Sequence, residues 1–339
     1  MLRVGLAGLS QGYYAVTYMR YLTAQPDITC AGICDLGADN AYVRECAFTT
    51  AGAFANELNA PQFTSFSQLL DIKPDAVLIC NETHQHVELA AQALSKGIHT
   101  FVSKPLSFNP SDFNVLKAVA NKAILLCGNP LRYQPDIVKL EKDVRSGKVG
   151  KLYAIRASVC HQAMIHQEWE RDAARSGGNL GTYAPYLFDL AKWITGERIT
   201  TLYAQGDNFN TPQNSSADTI HIAGRLEKDG VCAIALYCGI QQSHPFFEAE
   251  VVGSSGWLKA VYEDNEASSS GSEDTTDLGT IAKGNPGAEE MDHFLDCVRS
   301  GATPICSIAE MEYTAACVEA VQNSMTTGQS QTVEVEKSD

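Results

Sequence analysis

The chain has 339 residues, room for roughly two domains at about 150 residues each, and its 45% hydrophobic and 19% charged residues exclude wholesale disorder. Lys and Arg number 25 against 40 Asp and Glu, a formal net charge of −15, which argues against a nucleic-acid or anionic-membrane surface built on clustered basic residues. Eleven scattered cysteines without a CxxC pair, several inside apolar runs (Cys80, Cys127, Cys232), read as reduced, buried thiols of a cytoplasmic protein, and no Cys/His spacing suggests a zinc site.

No stretch approaches 18 apolar residues, so no transmembrane helix is expected. The strand-like start leaves no signal peptide as the expectation. Leu2 to Ala7 is a short apolar run, followed by a Gly-containing turn and a helical pattern. Ile28 to Cys34 is a second strand ending at Asp35, and Asn40 to Leu58 is Ala-rich and helix-like. Ala76 to Cys80 is a third strand, after which Val87, Ala90, Ala91 and Leu94 recur at helical spacing up to Gly97. His99 to Ser103 and Ala123 to Cys127 are further strands around a helical Asp112 to Asn121. Strands apolar throughout and separated by helices predict an α/β domain over residues 1–128, a Rossmann-type doubly wound parallel sheet.

The pattern changes after Gly128. Tyr133 to Ser146 reads as one helix closed by Gly147, and Leu152 to Val159 as a strand. Thr200 to Val261 looks mostly stranded, with hairpin-like turns such as Lys228-Asp229-Gly230. Residues 263–277 are Ser-rich and acidic and read as a solvated loop. Glu289 to Ser300 and Ala309 to Thr326 read as amphipathic helices, ended by Gly301 and Gly328. Residues 129–339 are therefore expected to form an α+β domain with a large, mostly antiparallel sheet.

The turn after the first strand is Gly8-Leu9-Ser10-Gln11-Gly12-Tyr13. A dinucleotide site needs small residues here, because the backbone approaches the pyrophosphate at a helix N-terminus. Ser10 replaces the second glycine of GxGxxG, Tyr13 the third, and Gly12 stands one place early, so an ordinary strand-to-helix turn is an equal reading of these residues alone. Asp35, 23 residues beyond Gly12, adds context. An acidic residue there accepts bonds from the adenosine ribose and repels a 2′-phosphate, and neither Leu36 nor Gly37 offers an Arg for that phosphate. This favours NAD over NADP; the competing reading is that Asp35 caps the next helix.

The run Ala76 to Pro105 (AVLICNETHQHVELAAQALSKGIHTFVSKP) resembles the glucose–fructose oxidoreductase / inositol dehydrogenase / rhizopine catabolism family (Gfo/Idh/MocA). His86 matches the histidine of the T-P-N-x-x-H-like turn, and Ser103-Lys104-Pro105 matches E-K-P. Asn129 to Pro135 resembles the crossover into the second domain, Trp169 to Gly178 the W-R-x-D…G-G-G segment, and Glu290 to Pro304 a late helix that returns to the first domain. Ser103 replaces the family's Glu. In the family's D-x-G-x-H-x-x-D, Thr182 stands for the catalytic Asp and Tyr186 for the His, while Asp189 is kept. Some branches carry Tyr at the His position and use it as the acid/base, which the resemblance extends to Tyr186.

What the resemblance implies is an NAD(H)-dependent oxidoreductase acting on a sugar, cyclitol or related polyol, and an oligomer-forming sheet, a homodimer or homotetramer. The expected coenzyme residues are Gly8, Ser10, Gln11, Gly12, Asp35, Asn81, His86, Lys104 and Pro105, with a typically cis Lys–Pro peptide. Hydride transfer from a carbinol needs a partner for the hydroxyl proton. A phenol begins near ~10, and a nearby ammonium stabilises its phenolate. Lys104 is therefore the expected oxygen-binding cation, Tyr186 the proton carrier and Thr182 a further catalytic position. Lys104, His161, Tyr186 and Asp189 are the expected substrate contacts, with Gln162, His166 and Arg132 as weaker candidates. His86 is expected to support backbone, and His84 adjoins the same strand end. Thr182, Tyr186 and Asp189 fall at i, i+4 and i+7, on one helix face. Pro185 predicts Thr182 near the N-cap and Tyr186 in the first turn. Two alternatives stay open: an NAD-dependent glycosidase-like enzyme without net redox, and a catalytically inactive nucleotide-binding protein. A plain structural or assembly partner is a third.

Overall fold

The computed structural model describes residues 1–38, 40–47, 49–120, 123–161, 167–210, 216–240, 246–262 and 284–335. Two compact units emerge. One comprises Met1–Ser107, Ser111–Pro130 and Glu273–Ala309; the other comprises Phe108–Pro110, Leu131–Ser272 and Glu310–Asp339. The division differs from a single boundary after Gly128, because the first unit also takes in a late helix. The Ser-rich stretch 263–277 lies outside the described residues.

In the first unit β1 (Leu2–Ala7) leads to α1 (Gly12–Thr23) and β2 (Ile28–Cys34), followed by α2 (Asn40–Ala47), α3 (Ala51–Glu57) and β3 (Gln62–Phe63). Next come α4 (Phe66–Asp71), β4 (Ala76–Ile79), α5 (His86–Ser95), β5 (His99–Val102), α6 (Phe113–Val119) and β6 (Leu125–Cys127). The strands form one parallel sheet in the order β3-β2-β1-β4-β5-β6. Helices cover both faces of such a sheet, which is why all four residues of β4 are buried and apolar. The single helix expected over Asn40–Leu58 is two: Thr50 is extended and its side chain caps α3 by accepting the Ala53 amide.

The second unit starts its helices with α7 (Pro135–Arg145) and then β7 (Leu152–His161). Short α8 (Glu168–Arg171) and α9 (Ala173–Ser176) precede the long α10 (Gly178–Thr195). β8 (Ile199–Asp207), β9 (Thr219–Leu226), β10 (Val231–Cys238), β11 (Phe247–Gly253) and β12 (Gly256–Tyr262) follow. The chain then runs through α11 (Pro286–Ser300), which belongs to the first unit, to α12 (Ile308–Thr327) and β13 (Gln331–Thr332). The sheet order is β12-β11-β7-β10-β9-β8-β13, antiparallel except for the β7–β10 pair.

One sheet face packs on α10 and α12; the Tyr313 hydroxyl accepts the Ile199 amide and the Ser324 hydroxyl accepts the Ala204 amide. The strands alternate accordingly, and Tyr203, His221, Ala233 and Trp257 remain exposed. The helix expected from Tyr133 begins at Pro135 instead, since proline's fixed φ and missing N–H suit the first helical position. Met311 to Val318 of α12 are buried without interruption, so this stretch is enclosed, while exposed residues recur from Glu319 onward. Among the described residues, no helix is long and apolar enough to cross a membrane.

Candidate active site

The strand order reverses between β1 and β4, and ligands of open α/β sheets bind at the carboxyl ends flanking such a point. Gly8 stands there at φ 82°, and a Cβ on it would lie 2.4 Å from Asn81 Cβ. Only glycine lets these two strand ends approach so closely. Ser10, where the fingerprint has glycine, is buried and donates its hydroxyl to Asn81 Oδ1 at 2.9 Å. Gln11 does not cap α1; its amide reaches the carbonyls of Asn81 (3.2 Å) and Lys104 (3.3 Å). Gly12 opens α1, leaving a helix N-terminus over the cradle. Asn81 also donates to Gln85.

His86 is fully buried, with Nδ1 2.7 Å from the Pro105 carbonyl and Nε2 2.9 Å from the Asn81 carbonyl. Burial lowers its pKa to about 4, so the ring is neutral and its single N–H bonds one carbonyl while the other merely abuts it. The Lys104–Pro105 peptide is cis. Gln11 thus bonds the Lys104 carbonyl at the end of β5, and His86 contacts that of Pro105. Ser103 donates to the Ile79 carbonyl at 3.1 Å, joining β5 to β4. Asp35 Oδ1 accepts the Gly37 amide at 2.8 Å, a turn contact that engages one carboxylate oxygen.

A carboxyl that the sequence patterns did not single out lies in the same unit. Glu290 of α11 is fully buried, accepts the Tyr18 hydroxyl (2.8 Å) and the Asn129 amide (2.5 Å), and is pushed up to about 8 by burial, against which both donors act.

The second unit gathers an aromatic wall. The rings of His161, the last residue of β7, and Tyr183 of α10 lie 4.5 Å apart, with the Tyr183 hydroxyl 3.3 Å from His161 Nδ1. Phe246 sits 5.4 Å from His161, 6.3 Å from Tyr186 and 6.0 Å from Tyr262. His161 and Tyr186 thus meet one phenylalanine, whereas Gln162 and His166 lie outside the described residues. Tyr183 was not a candidate: its only pattern signal is its position three residues before Tyr186.

Two expectations are corrected. Tyr186 is the ninth residue of α10, not in its first turn, and Pro185 lies inside the helix. The helix starts at Gly178 because Gly177 and Gly178 adopt φ 78° and 64°, and the Ser216 hydroxyl accepts the Asn179 amide. Asp189 is 1% exposed and both its oxygens accept the Arg132 guanidinium, at 2.7 and 2.5 Å. It fastens the helix to the start of the second unit instead of facing a substrate. Glu310 stands 3.6 Å from the same guanidinium and 2.6 Å from Lys192. Thr182 is partly exposed on the preceding turn.

Residues 2–129 match the model of an oxidoreductase family with an NAD-binding Rossmann fold, and residues 137–259 match the GFO/IDH/MocA C-terminal domain. Myo-inositol 2-dehydrogenase of Thermotoga maritima is 28% identical over 262 residues, 70% of this chain and 73% of that protein. scyllo-Inositol 2-dehydrogenase (NAD(+)) of Bacillus subtilis is 23% identical over 265 residues, 74% and 76% of the two chains. The crystal structure of GenD2 from gentamicin A biosynthesis, in complex with NAD, superposes with a TM-score of 0.83 at 18% identity, covering 98% of this chain and 97% of that one. With both domain models matched in order, the chain belongs to the Gfo/Idh/MocA family of NAD-binding oxidoreductases.

Proposed function

We propose that this protein transfers a hydride between nicotinamide and a hydroxyl-bearing or carbonyl carbon of a sugar, cyclitol or related polyol, and that it uses NAD in preference to NADP. The observation that carries the reading is the bonded edge formed by Gly8, Gln11, Asn81, His86 and the Lys104–Pro105 segment. The Gly8 turn, which a Cβ would fill, fits the close backbone approach that a pyrophosphate requires. Gly8, Ser10, Gln11 and Gly12 would form the phosphate turn. Asn81, His86 and Pro105 would support the nicotinamide end, and Asp35 would take the ribose. When bound, NAD supplies the hydride acceptor. Lys104 binds and polarises the reacting oxygen, Tyr186 carries its proton, Thr182 lies one turn before Tyr186, and His161 contacts substrate hydroxyls.

The polyol class is supported by the inositol dehydrogenases among the relatives. We assign the uncovered sheet face, with Tyr203 and Trp257, to a second copy of the chain, and the cytoplasm as the compartment for the free thiols. Incubation with NAD and a panel of cyclitols and aldoses tests the activity: NADH formation with at least one polyol supports it. Aglycone release from a glycoside without NADH accumulation would replace it with a hydrolytic reaction.

A further inference from the structure

Glu290 lies near the segment that carries Lys104 and has no partner cation among the described residues. Its environment consists of burial, the Tyr18 hydroxyl and the Asn129 amide, with no Lys, Arg or His contributing among the described residues. Gly128 packs against it: a Cβ there would stand 3.5 Å from Glu290 Oε2 and 3.6 Å from the Lys104 backbone nitrogen. One glycine therefore separates this carboxyl from the Lys104 backbone. The titratable groups facing it are Tyr18 from α1, the buried Cys80 thiol at the end of β4 and the Lys104 segment after β5. On α11 itself, Asp292 is engaged by Tyr21 and Gln25, and Glu289 accepts the Gly284 amide. A carboxyl so enclosed is neutral near pH 7, yet it keeps two donors aimed at it that would serve a carboxylate.

Oxidised nicotinamide carries a positive charge that the reduced ring lacks, while the phosphates and sugars of the two forms are alike. We infer that Glu290 releases its proton when the oxidised coenzyme docks beside Lys104–Pro105 and recovers it when the ring is reduced or leaves. The inference rests on the proposed NAD site. On docking, the carboxylic O–H bond breaks and the proton passes to solvent. The carboxylate stays under the Tyr18 and Asn129 donors, and no electron moves at Glu290. A unit charge within about 10 Å at an effective dielectric of about 20 lowers such a group by about one pH unit.

The test is proton release in weakly buffered solution, read with an indicator dye, alongside calorimetric binding of NAD+ and of NADH. Near pH 7.5 about half a proton should be released per NAD+ bound, and almost none per NADH. Glu290→Gln preserves shape and the Asn129 bond, lets the amide donate to a reversed Tyr18 hydroxyl, and cannot ionise; it should bind NAD+ without release. Tyr18→Phe removes one donor from the carboxylate and should move the pH of greatest release upward, which keeps the test intact if Glu290→Gln folds poorly. Equal release for both coenzyme forms, release persisting in Glu290→Gln, or no upward shift in Tyr18→Phe overturns the inference while calorimetry still shows binding. Absence of NAD+ binding to the unaltered protein overturns the coenzyme site itself, and this inference with it.

Discussion

Two fully buried groups of the first unit, His86 and Glu290, drive its stability in opposite directions with pH. Burial lowers His86 from 6.5 to about 4. Its contribution is therefore present above about 6.5 and lost as pH falls towards 4, because the unfolded chain takes up a proton that the folded one refuses. Burial raises Glu290 from 4.5 to about 8. That contribution is complete below 4.5 and lost as pH rises towards 8, because the unfolded chain ionises first. Each slope reaches about 1.4 kcal/mol per pH unit, so between 4.5 and 6.5 they oppose one another. Above 6.5 only the Glu290 slope remains, and it removes about 2 kcal/mol by pH 8. Glu290→Gln eliminates that slope. Relative to the parent, whatever its constant offset, the variant should gain about 2 kcal/mol between pH 6.5 and 8 and about 1.4 kcal/mol per unit between 4.5 and 6.5. His86→Gln should show the mirror image below 6.5, a decline in place of a plateau. Amide exchange of β1 and β4, corrected for intrinsic rates, reads the opening of this unit. Trp169, Trp193 and Trp257 all lie in the second unit, so their fluorescence during urea unfolding serves as the control. Parallel pH curves for parent and Glu290→Gln would refute the buried, neutral carboxyl.

Lys104→Ala and Tyr186→Phe should each lower kcat by about 100-fold or more while NAD affinity changes far less; steady-state kinetics with coenzyme titration checks this, and unaltered turnover removes that residue from the mechanism. Asp35→Ala should narrow the preference for NAD over NADP, measured as the ratio of kcat/KM values, because it deletes the charge that repels a 2′-phosphate; an unchanged ratio contradicts the ribose assignment. Asp189→Ala leaves the Arg132 guanidinium buried, with Glu310 at 3.6 Å among the described carboxylates. It should cost about 3–5 kcal/mol in urea unfolding of the second unit. A loss below about 1 kcal/mol would mean that Glu310 takes over the pairing.

The parallel sheet was legible because its strands are apolar on both faces, a pattern that few other structures produce. The two-helix split at Thr50 was less so: the Ala-rich run masks it, and one hydroxyl reaching the Ala53 amide decides it. The helix expected from Tyr133 starts two residues later, where Pro135 takes the first helical position, and the proline rule applied at Pro185 missed the start of α10 by more than a turn. Gly177 and Gly178, packed against Phe108 and Ser216, fix the start of α10 whatever the proline prefers. At the proposed site, motif order pointed to Gly8, Asn81 and Lys104, which follow strand ends, and to His86 at the start of α5. Tyr183 and Glu290 escaped, and the pairing of Asp189 with Arg132 went unread, for one reason. Their roles are set by partners at positions 132, 161, 18 and 129, and such pairings have no periodicity to read.

The departures from the glycine fingerprint follow one physical rule. A glycine is needed where a Cβ would strike backbone, and Gly8 meets that condition against Asn81. At the next position the structure needs only a side chain that turns inward, and Ser10 does so by donating to Asn81 Oδ1. Gln11 then carries the same connection onward to the Lys104 carbonyl, and His86 sits between the Asn81 and Pro105 carbonyls and bonds one of them. The turn after β1 and the lysine loop after β5 are therefore one bonded body that meets at Asn81. A fingerprint degraded by serine and tyrosine is compatible with an intact nucleotide edge, because side-chain bonds across β1, β4 and β5 hold the geometry that a second and third glycine merely permit.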